Sequence, residues 1–334
     1  MIAAYHAKAI AEVPGAVLIG VCGRDPERTQ AFAKTVNAPF ATASMEELLR
    51  RPDIDVICVT TPAGAHLEPA LAAIRAGKHV IVEKPLEITV ERADAIITAA
   101  AEANVILYPI FQARFGDGAR TVKRAVESGR LGRMVLASAY VKWVRTPQYY
   151  LNPGRGTQAM DGGGAMMNQG IHAVDLLQWF AGMPTEVSGY TTRRVHLGIE
   201  VEDTAVAALR FESGALGAIE ATTAAWPGWS RRIELCGETG SISLEDDRIA
   251  KWDFQTALPE DEAIRSAKPS DGLGSGAGAP NAINHEGHRR QIQDLVTAIG
   301  QGSAPALAGA DARNAVAIIR ALYQSAASKQ PVKP

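Results

Sequence analysis

Cysteine is scarce: the chain of 334 residues has three, Cys22, Cys58 and Cys236, far from one another. Spacing of that kind supports neither a disulfide framework nor a thiolate metal site, and the three read as small buried hydrophobes of a reducing compartment. Charge of one sign is lacking as well. Lys and Arg number 34 against 36 Asp and Glu, a formal net charge of −2, which gives no long-range attraction to nucleic acid or an anionic membrane. No uninterrupted apolar run approaches ~18 residues, so no transmembrane helix is expected. The first residues carry no basic region followed by an apolar one, so no secretory signal is expected either. These absences leave a cytoplasmic globular protein without nucleic-acid or membrane partners. With 47% apolar and 21% charged residues, it can bury ordinary cores, and its length suits two domains.

A further lack stands at the beginning, "MIAAYHAKAIAEVPGAVLIGVCGRDPERT". Ala3 to Val13 reads as a helix ended by Pro14-Gly15, and Ala16 to Cys22 as a buried strand before the turn Gly23-Arg24-Asp25-Pro26. An αβ pair normally follows a strand, yet this helix starts with no cap residue. Strand and helix then alternate. Helices are expected over Pro26–Val36, Met45–Arg50, Leu67–Ala76 and Val90–Ala103. Strands are expected near Phe40–Ala43 and in "DIDVICVTTP", "KHVIVEKP" and "NVILYPIF". Strands apolar throughout, alternating with helices, imply a parallel sheet covered on both faces, with ligands at the strands' carboxyl ends.

Beyond Phe111 the rhythm changes. A helix near Ala119–Ser128 leads to the strand "MVLASAYVKWV", a Gly-rich loop and one apolar helix, Ala165–Phe180. Six more strands follow, "EVSGYTTRRV", "DTAVAALRF", "ALGAIEATTA", "RRIELCGE", "SISLED" and "RIAKWDF". Turns such as Glu212-Ser213-Gly214 and Glu238-Thr239-Gly240 make several of them antiparallel hairpins. "PSDGLGSGAGAPNAIN" reads as a mobile loop, and helices over Gly287–Ile299 and Ala310–Ser325 close the chain. The fold class is therefore α/β, a doubly wound parallel sheet of Rossmann type, followed by an α+β domain with an open, mainly antiparallel sheet. The boundary is placed to give domains 1–109 and 110–334.

Two stretches carry candidate chemistry. In "VIVEKPLEIT" the pair Glu83-Lys84 ends a buried parallel strand, on the ligand edge of such a sheet. The Lys84–Pro85 bond is of the X-Pro kind that adopts cis at modest cost, turning the lysine out of the strand direction. A solvated strand terminus is the plain alternative. In "MDGGGAMMNQGIHAVDLLQWFAG" three glycines precede a helix and would let a ligand approach the backbone. Asn168, His172 and Asp175 then fall at i, i+4 and i+7. At ~100° per residue they share a stripe of roughly 60° on an otherwise apolar helix. A satisfied core histidine is the alternative there.

Together, "VTTPAGAHLEPALAAIRAGKHVIVEKP" and "GGGAMMNQGIHAVDLLQWFAG" closely resemble the Gfo/Idh/MocA oxidoreductases, a family that includes glucose–fructose oxidoreductase and inositol dehydrogenase. The resemblance implies a nicotinamide-dependent enzyme acting on sugars, sugar derivatives or polyols. It implies Lys84 between nicotinamide and substrate, His172 as the acid/base and Asn168 as its neighbour one turn away. Family members begin with a strand and a G-x-G-x-x-G loop before the first helix, so the resemblance implies that this strand and loop are missing here. Loss of a central strand would expose backbone groups on two neighbours.

Other positions follow from the same resemblance. Thr60, Thr61, Pro62 and His66 match the loop on the nicotinamide side, with Glu83 beside Lys84. Gln112 matches a residue near nicotinamide and substrate. Trp143 and Arg145 resemble a substrate-pocket pair, and Arg155 and His285 are further substrate candidates. His285 and His288 form no H-E-x-x-H motif, and no metal is expected. Where an acidic residue would hold the ribose hydroxyls of NAD, this chain has Gly23, Arg24 and Arg28, a pattern that leans to NADP with NAD left open. A surface turn with two solvated arginines is the alternative. The family is commonly dimeric or tetrameric, so a homo-oligomer through the open sheet is expected. Two other activities stay open: a glycoside hydrolase using bound NAD transiently, and a cofactor-binding regulator, against which the presence of both Lys84 and His172 argues.

Overall fold

In the computed structural model, which describes residues 2–267, 276–278 and 284–334, the alternation of the first third becomes five short parallel strands. These are β1 (Gly20–Cys22), β2 (Phe40–Thr42), β3 (Val56–Val59), β4 (His79–Val82) and β5 (Leu107–Pro109). They form two sheets. β1 pairs with β2, Gly20 opposite Phe40, while β3, β4 and β5 pair in that order, Val56 opposite His79 and Val80 opposite Leu107. Among the described residues, β1 and β3 thus each pair along one edge only. This explains why β1 is shorter than the expected Ala16–Cys22: burial on both faces needs covered neighbours, and here Val17 is 75% exposed and β1 only half-buried. β4 has partners on both sides, and Val80, Ile81 and Val82 are fully buried.

Local chemistry sets the helices between these strands. Asp25 accepts the Arg28 N–H at 3.1 Å to cap the helix Pro26–Thr35, and Ser44 accepts the Glu47 N–H at 3.2 Å to cap Met45–Leu49. The remaining helices are Ile2–Ala11, Leu67–Arg75 and Val90–Glu102. A distant one, Glu286–Gln301, joins them and packs against Ile2–Ala11. Its Gln291 is fully buried, accepting the Phe111 N–H at 3.1 Å and donating to the Pro109 carbonyl at 2.7 Å. Asp294 accepts the Tyr108 hydroxyl at 2.6 Å. The first unit is therefore Met1–Glu87, Glu91–Gln112 and His285–Ala310. This differs from the division at residue 109 in returning His285–Ala310 to the first unit, through side-chain bonds that local sequence does not announce.

The second unit comprises Ile88–Val90, Ala113–Asn284 and Asp311–Pro334. Its seven strands are β6 (Met134–Lys142), β7 (Pro184–Thr192), β8 (Thr204–Phe211), β9 (Leu216–Thr222), β10 (Arg232–Gly237), β11 (Gly240–Glu245) and β12 (Arg248–Phe254). They lie in the order β12-β11-β10-β6-β9-β8-β7, antiparallel except for β6 with β9. One register row, Leu209, Gly217, Ala137, Leu235 and Ile242, faces the helices Asp117–Glu127 and Ile171–Ala181. The opposite face leaves Tyr190 74%, Val206 41% and Leu216 52% exposed. The stretch read as a mobile loop, 269–284, lies outside the described residues except for 276–278 and Asn284. No helix among the described residues is long and apolar enough to cross a membrane.

Candidate active site

In the first unit, the candidate residues gather where β1, β3 and β4 end. Lys84 follows β4, half-buried, and its bond to Pro85 is cis. Glu83 is 5% exposed, and its carboxylate is held from within the unit. Oε1 accepts from His6 Nε2 at 2.8 Å and His288 Nε2 at 3.2 Å, and Oε2 accepts the Lys84 N–H at 3.1 Å. Burial alone would raise the Glu83 pKa, but the hydrogen bonds from His288 and His6 and their charge outweigh it and hold the group well below its ordinary range. Glu83 therefore anchors the backbone of Lys84 and has its oxygens engaged by protein donors.

The ligand atoms of His6, Glu83 and His288 lie within 4.8 Å of one another, close enough to raise metal ligation. The geometry is instead that of a hydrogen-bonded cluster: both imidazoles share one carboxylate oxygen, and neither Nδ1 has a partner among the described residues. A metal-bound imidazole almost always has its second N–H held by an acceptor.

His66, 1% exposed, is placed differently from its expected part in the cofactor loop. Its Nδ1 lies 2.9 Å from the Pro85 carbonyl and its Nε2 2.9 Å from that of Thr61, so it clamps the loops after β3 and β4 together. Thr61 donates its hydroxyl to the Ala65 carbonyl at 2.8 Å, while Thr60 and Pro62 remain accessible. His285 is paired with Glu12 at 2.9 Å. Arg24 and Arg28 are exposed at the end of β1, beside Gly23, where a Cβ would meet the Thr29 hydroxyl at 2.6 Å. Gln112 is 9% exposed, and its Oε1 has no hydrogen-bond partner among the described residues.

The second unit holds Asn168, His172, Trp143, Arg145 and Arg155. The expected single helix Ala165–Phe180 is two helices: Ala165–Gly170 is a π-helix, and the α-helix runs from Ile171 to Ala181. The i→i+5 turn at Asn168 alters the α-helical spacing to His172, and such turns concentrate at functional sites. His172 is 7% exposed in the first α-turn. Asp175 leaves the expected polar stripe. It is fully buried and pairs bidentately with Arg114 at 2.7 and 2.9 Å.

The three glycines before the π-helix have a structural reason rather than a ligand. A Cβ at Gly162 (φ 68°) would strike Ile88, one at Gly163 the Tyr323 hydroxyl, and one at Gly164 the Glu202 carbonyl. Glu202 in turn accepts the N–H groups of Gly164 at 2.8 Å and Met166 at 2.9 Å and the Tyr323 hydroxyl at 2.9 Å. Burial pushes its pKa up despite those donors.

Trp143 and Arg145 continue β6, two residues apart and so on one face. Arg145 is 5% exposed, donating to the carbonyls of Val144 at 2.6 Å, Gly276 at 2.9 Å and Ala277 at 3.3 Å; burial lowers its pKa. Arg155 pairs with Asp161 at 3.1 Å and stacks over Tyr149. Sequence reasoning missed Tyr149. Its hydroxyl accepts from Asn168 Nδ2 at 3.4 Å and Gln169 Nε2 at 3.3 Å, and only an irregular "QYYL" turn stood there to signal it.

Comparison with known proteins adds to this geometry. A family model described as an oxidoreductase family with an NAD-binding Rossmann fold matches residues 1–111, and one for the GFO/IDH/MocA C-terminal domain matches 119–243. The chain is 26% identical to myo-inositol 2-dehydrogenase of Thermotoga maritima, over 99% of this chain and 95% of that protein. It is 27% identical to levoglucosan dehydrogenase of Pseudarthrobacter phenanthrenivorans, over 91% and 86%. Among solved structures, the WlbA dehydrogenase from Bordetella pertussis in complex with NADH and UDP-GlcNAcA superposes with a TM-score of 0.90 at 31% identity, covering 100% of this chain and 94% of that one.

Proposed function

Because the chain belongs to the Gfo/Idh/MocA oxidoreductase family, we propose that it transfers hydride between a nicotinamide dinucleotide and a sugar, sugar derivative or polyol, interconverting a secondary alcohol and its ketone. The observation that carries this reading is whole-length similarity to such dehydrogenases in a chain that has Lys84 directly after β4 and a buried His172 opening the helix Ile171–Ala181.

The residues of the first unit fit the cofactor at a definite point. Gln112 Oε1 is a buried acceptor without a donor, and a carboxamide N–H would satisfy it. Thr60, Thr61, Pro62 and Gly23 would line the remainder, at the carboxyl ends of β3 and β1 where such ligands bind. Asp25 is turned into its helix cap, which leaves Arg24 and Arg28 to pair with a 2′-phosphate; NADP is the finer reading, tested by comparing NADH and NADPH affinity. When bound, the cofactor accepts or donates the hydride. His172 takes the hydroxyl proton on oxidation and returns it on reduction, a task suited to an imidazole's ordinary titration near neutrality. Lys84 serves as a hydrogen-bond donor that stabilises negative charge developing on a substrate oxygen. Asn168, bonded to Tyr149, positions the substrate side.

A second copy of the chain is the partner proposed for the open sheet face, where Leu136, Tyr190, Val206 and Leu216 stand on one side of the register. Sedimentation at several concentrations tests it, and a monomer throughout rejects it. The function itself is tested by screening polyols, keto-sugars and nucleotide sugars for a change in reduced-nicotinamide absorbance. Silence across all three classes with both cofactors would overturn it.

A further inference from the structure

Arg145 is a buried cation with no carboxylate partner among the described residues. Three of its five N–H groups are fixed on the carbonyls of Val144, Gly276 and Ala277. Its Nε–H is buried and finds no acceptor among the described residues, while the Tyr149 hydroxyl faces the same guanidinium. Trp143, on the same strand face, is 6% exposed, and its Nε1–H is likewise buried without an acceptor. The Arg145 guanidinium carbon lies 5.1 Å from the Trp143 ring centroid and 5.6 Å from that of Tyr149, so the three side chains form one cluster. Tyr149 Oη already accepts N–H groups from Asn168 and Gln169, which leaves its own O–H to donate.

The other ionisable groups facing Arg145 are Tyr150 and Arg155. Tyr150 shares its hydroxyl with Thr223 at 2.9 Å, and Arg155 is paired with Asp161. None of them brings negative charge to Arg145.

Among the described residues, the Arg145 Nε–H and the Trp143 Nε1–H are thus left without acceptors beside a positive charge that no carboxylate compensates. Buried donors left unmade are costly, and a buried cation is costlier still unless paired. What completes the set is a group that only accepts hydrogen bonds and carries negative charge. A neutral sugar hydroxyl brings a donor with each acceptor and leaves the charge unmatched. A carboxylate offers two oxygens in one plane, the shape that the Nε–H and Nη2–H of an arginine match side-on.

We propose that the substrate is an anionic sugar whose oxyanion group, best matched by a carboxylate, is read by Arg145 with Trp143 and Tyr149. This rests on the sugar-oxidoreductase reading and narrows it from sugars in general to sugar acids. The backbone carbonyls hold the guanidinium in place before the ligand arrives, so the preference is built into the cluster rather than formed on binding.

The test pairs each charged sugar with a neutral counterpart: D-glucuronate with D-glucuronamide, D-gluconate with D-glucitol, and D-glucose 6-phosphate with D-glucose. Binding to the full chain saturated with NADH is read by calorimetry, and hydride transfer by absorbance with the oxidised or reduced cofactor. At least one acid is expected to bind about 10- to 100-fold tighter than its neutral partner, the range of a charge-assisted bond at a desolvated site. A preference confined to the phosphate pair would identify the oxyanion as phosphate and overturn the carboxylate assignment. Arg145→Met should bring the ratio near one, and Arg145→Lys, which keeps charge but loses the fork, should leave it intermediate. Neutral members that bind as tightly as charged ones in all three pairs, or a preference that survives Arg145→Met, would overturn the proposal. The wild-type ratios stand without any variant. A binding preference with no hydride transfer would instead reject the oxidoreductase reading and leave the oxyanion site in place.

Discussion

Replacing Glu83 by alanine removes the acceptor on which two buried histidines converge, and its cost follows from the geometry. His6 and His288, each 2% exposed, both direct Nε2 at Glu83 Oε1. An ionised carboxylate only accepts, so both imidazoles donate. In Glu83→Ala those N–H groups have nowhere to go. Shifting the protons to Nδ1 gives no relief, because neither Nδ1 has a partner among the described residues. Two unmade buried donors cost ~1–3 kcal/mol each. Release of a desolvated carboxylate offsets part of this, so a net loss of about 2–4 kcal/mol is expected. Glu83→Gln keeps one acceptor and should lose roughly half as much.

The assay needs care over its probe. The 5 tryptophans, Trp143, Trp179, Trp226, Trp229 and Trp252, all lie in the second unit. Their fluorescence does not report the first, so urea unfolding should be followed by far-UV circular dichroism. The pH dependence adds a signed check. The Glu83 pKa is depressed in the folded state, so its contribution is present above the ordinary value of 4.5 and is lost as pH falls through the folded value. Wild-type stability should therefore drop below pH 4.5 more steeply than that of Glu83→Gln. A Glu83→Ala protein within about 0.5 kcal/mol of wild type, the usual range of inert surface changes, would refute the reasoning. So would equal acid sensitivity of Glu83→Gln and wild type.

Three more outcomes are expected. Gly164→Ala should prevent the second unit from folding or cost it at least about 3 kcal/mol by tryptophan fluorescence, since the new methyl falls on the Glu202 backbone carbonyl; Gly300→Ala, helical and with open space around it, should be neutral or gain up to about 1 kcal/mol. Lys84→Ala should lower kcat ~10²–10³-fold with a smaller change in KM, as for a lost oxyanion donor, and near-full turnover would return Glu83-Lys84 to a plain strand end. Asn168→Asp should move the acidic limb of the kcat/KM profile for alcohol oxidation up by about one unit, because a carboxylate stabilises an imidazolium as an amide does not. An unmoved limb with an altered KM would leave Asn168 to its Tyr149 bond and to substrate contact alone.

Most of the architecture was legible because apolar runs and turn residues act locally. The helix Pro26–Thr35 with its Asp25 cap, and the β10–β11 hairpin around Glu238-Thr239-Gly240, follow from a handful of adjacent residues. Misreadings arose where distant contacts decide. The π-turn over Ala165–Gly170 has the same apolar pattern as an α-helix, and periodicity does not separate i→i+4 from i→i+5 bonding. The glycines at 162–164 were read as room for a ligand, whereas Ile88, Glu202 and Tyr323 fill that room from remote parts of the chain. Glu83 looked like a cofactor contact because its partners stand 77 residues before it and 205 after. The resemblance to a family nominated Lys84 and His172. It did not announce Tyr149, which no pattern marks.

The division of the parallel strands into two sheets has a consequence for handling the protein. Among the described residues, β1 and β3 each present one row of backbone donors and acceptors to no strand of their own chain. Rows of this kind are templates on which another chain can pair. Their reach is small, because β1 has three residues and β3 four, and short edges are one means by which native proteins discourage such pairing. The flanking Val17, 75% exposed, works in the opposite direction by extending an apolar surface from β1. Behaviour at high concentration then turns on a charge placed beside that edge: Val17→Lys should slow the growth of light scattering on storage without touching either unit's core, which makes position 17 the first place to work when the protein is concentrated.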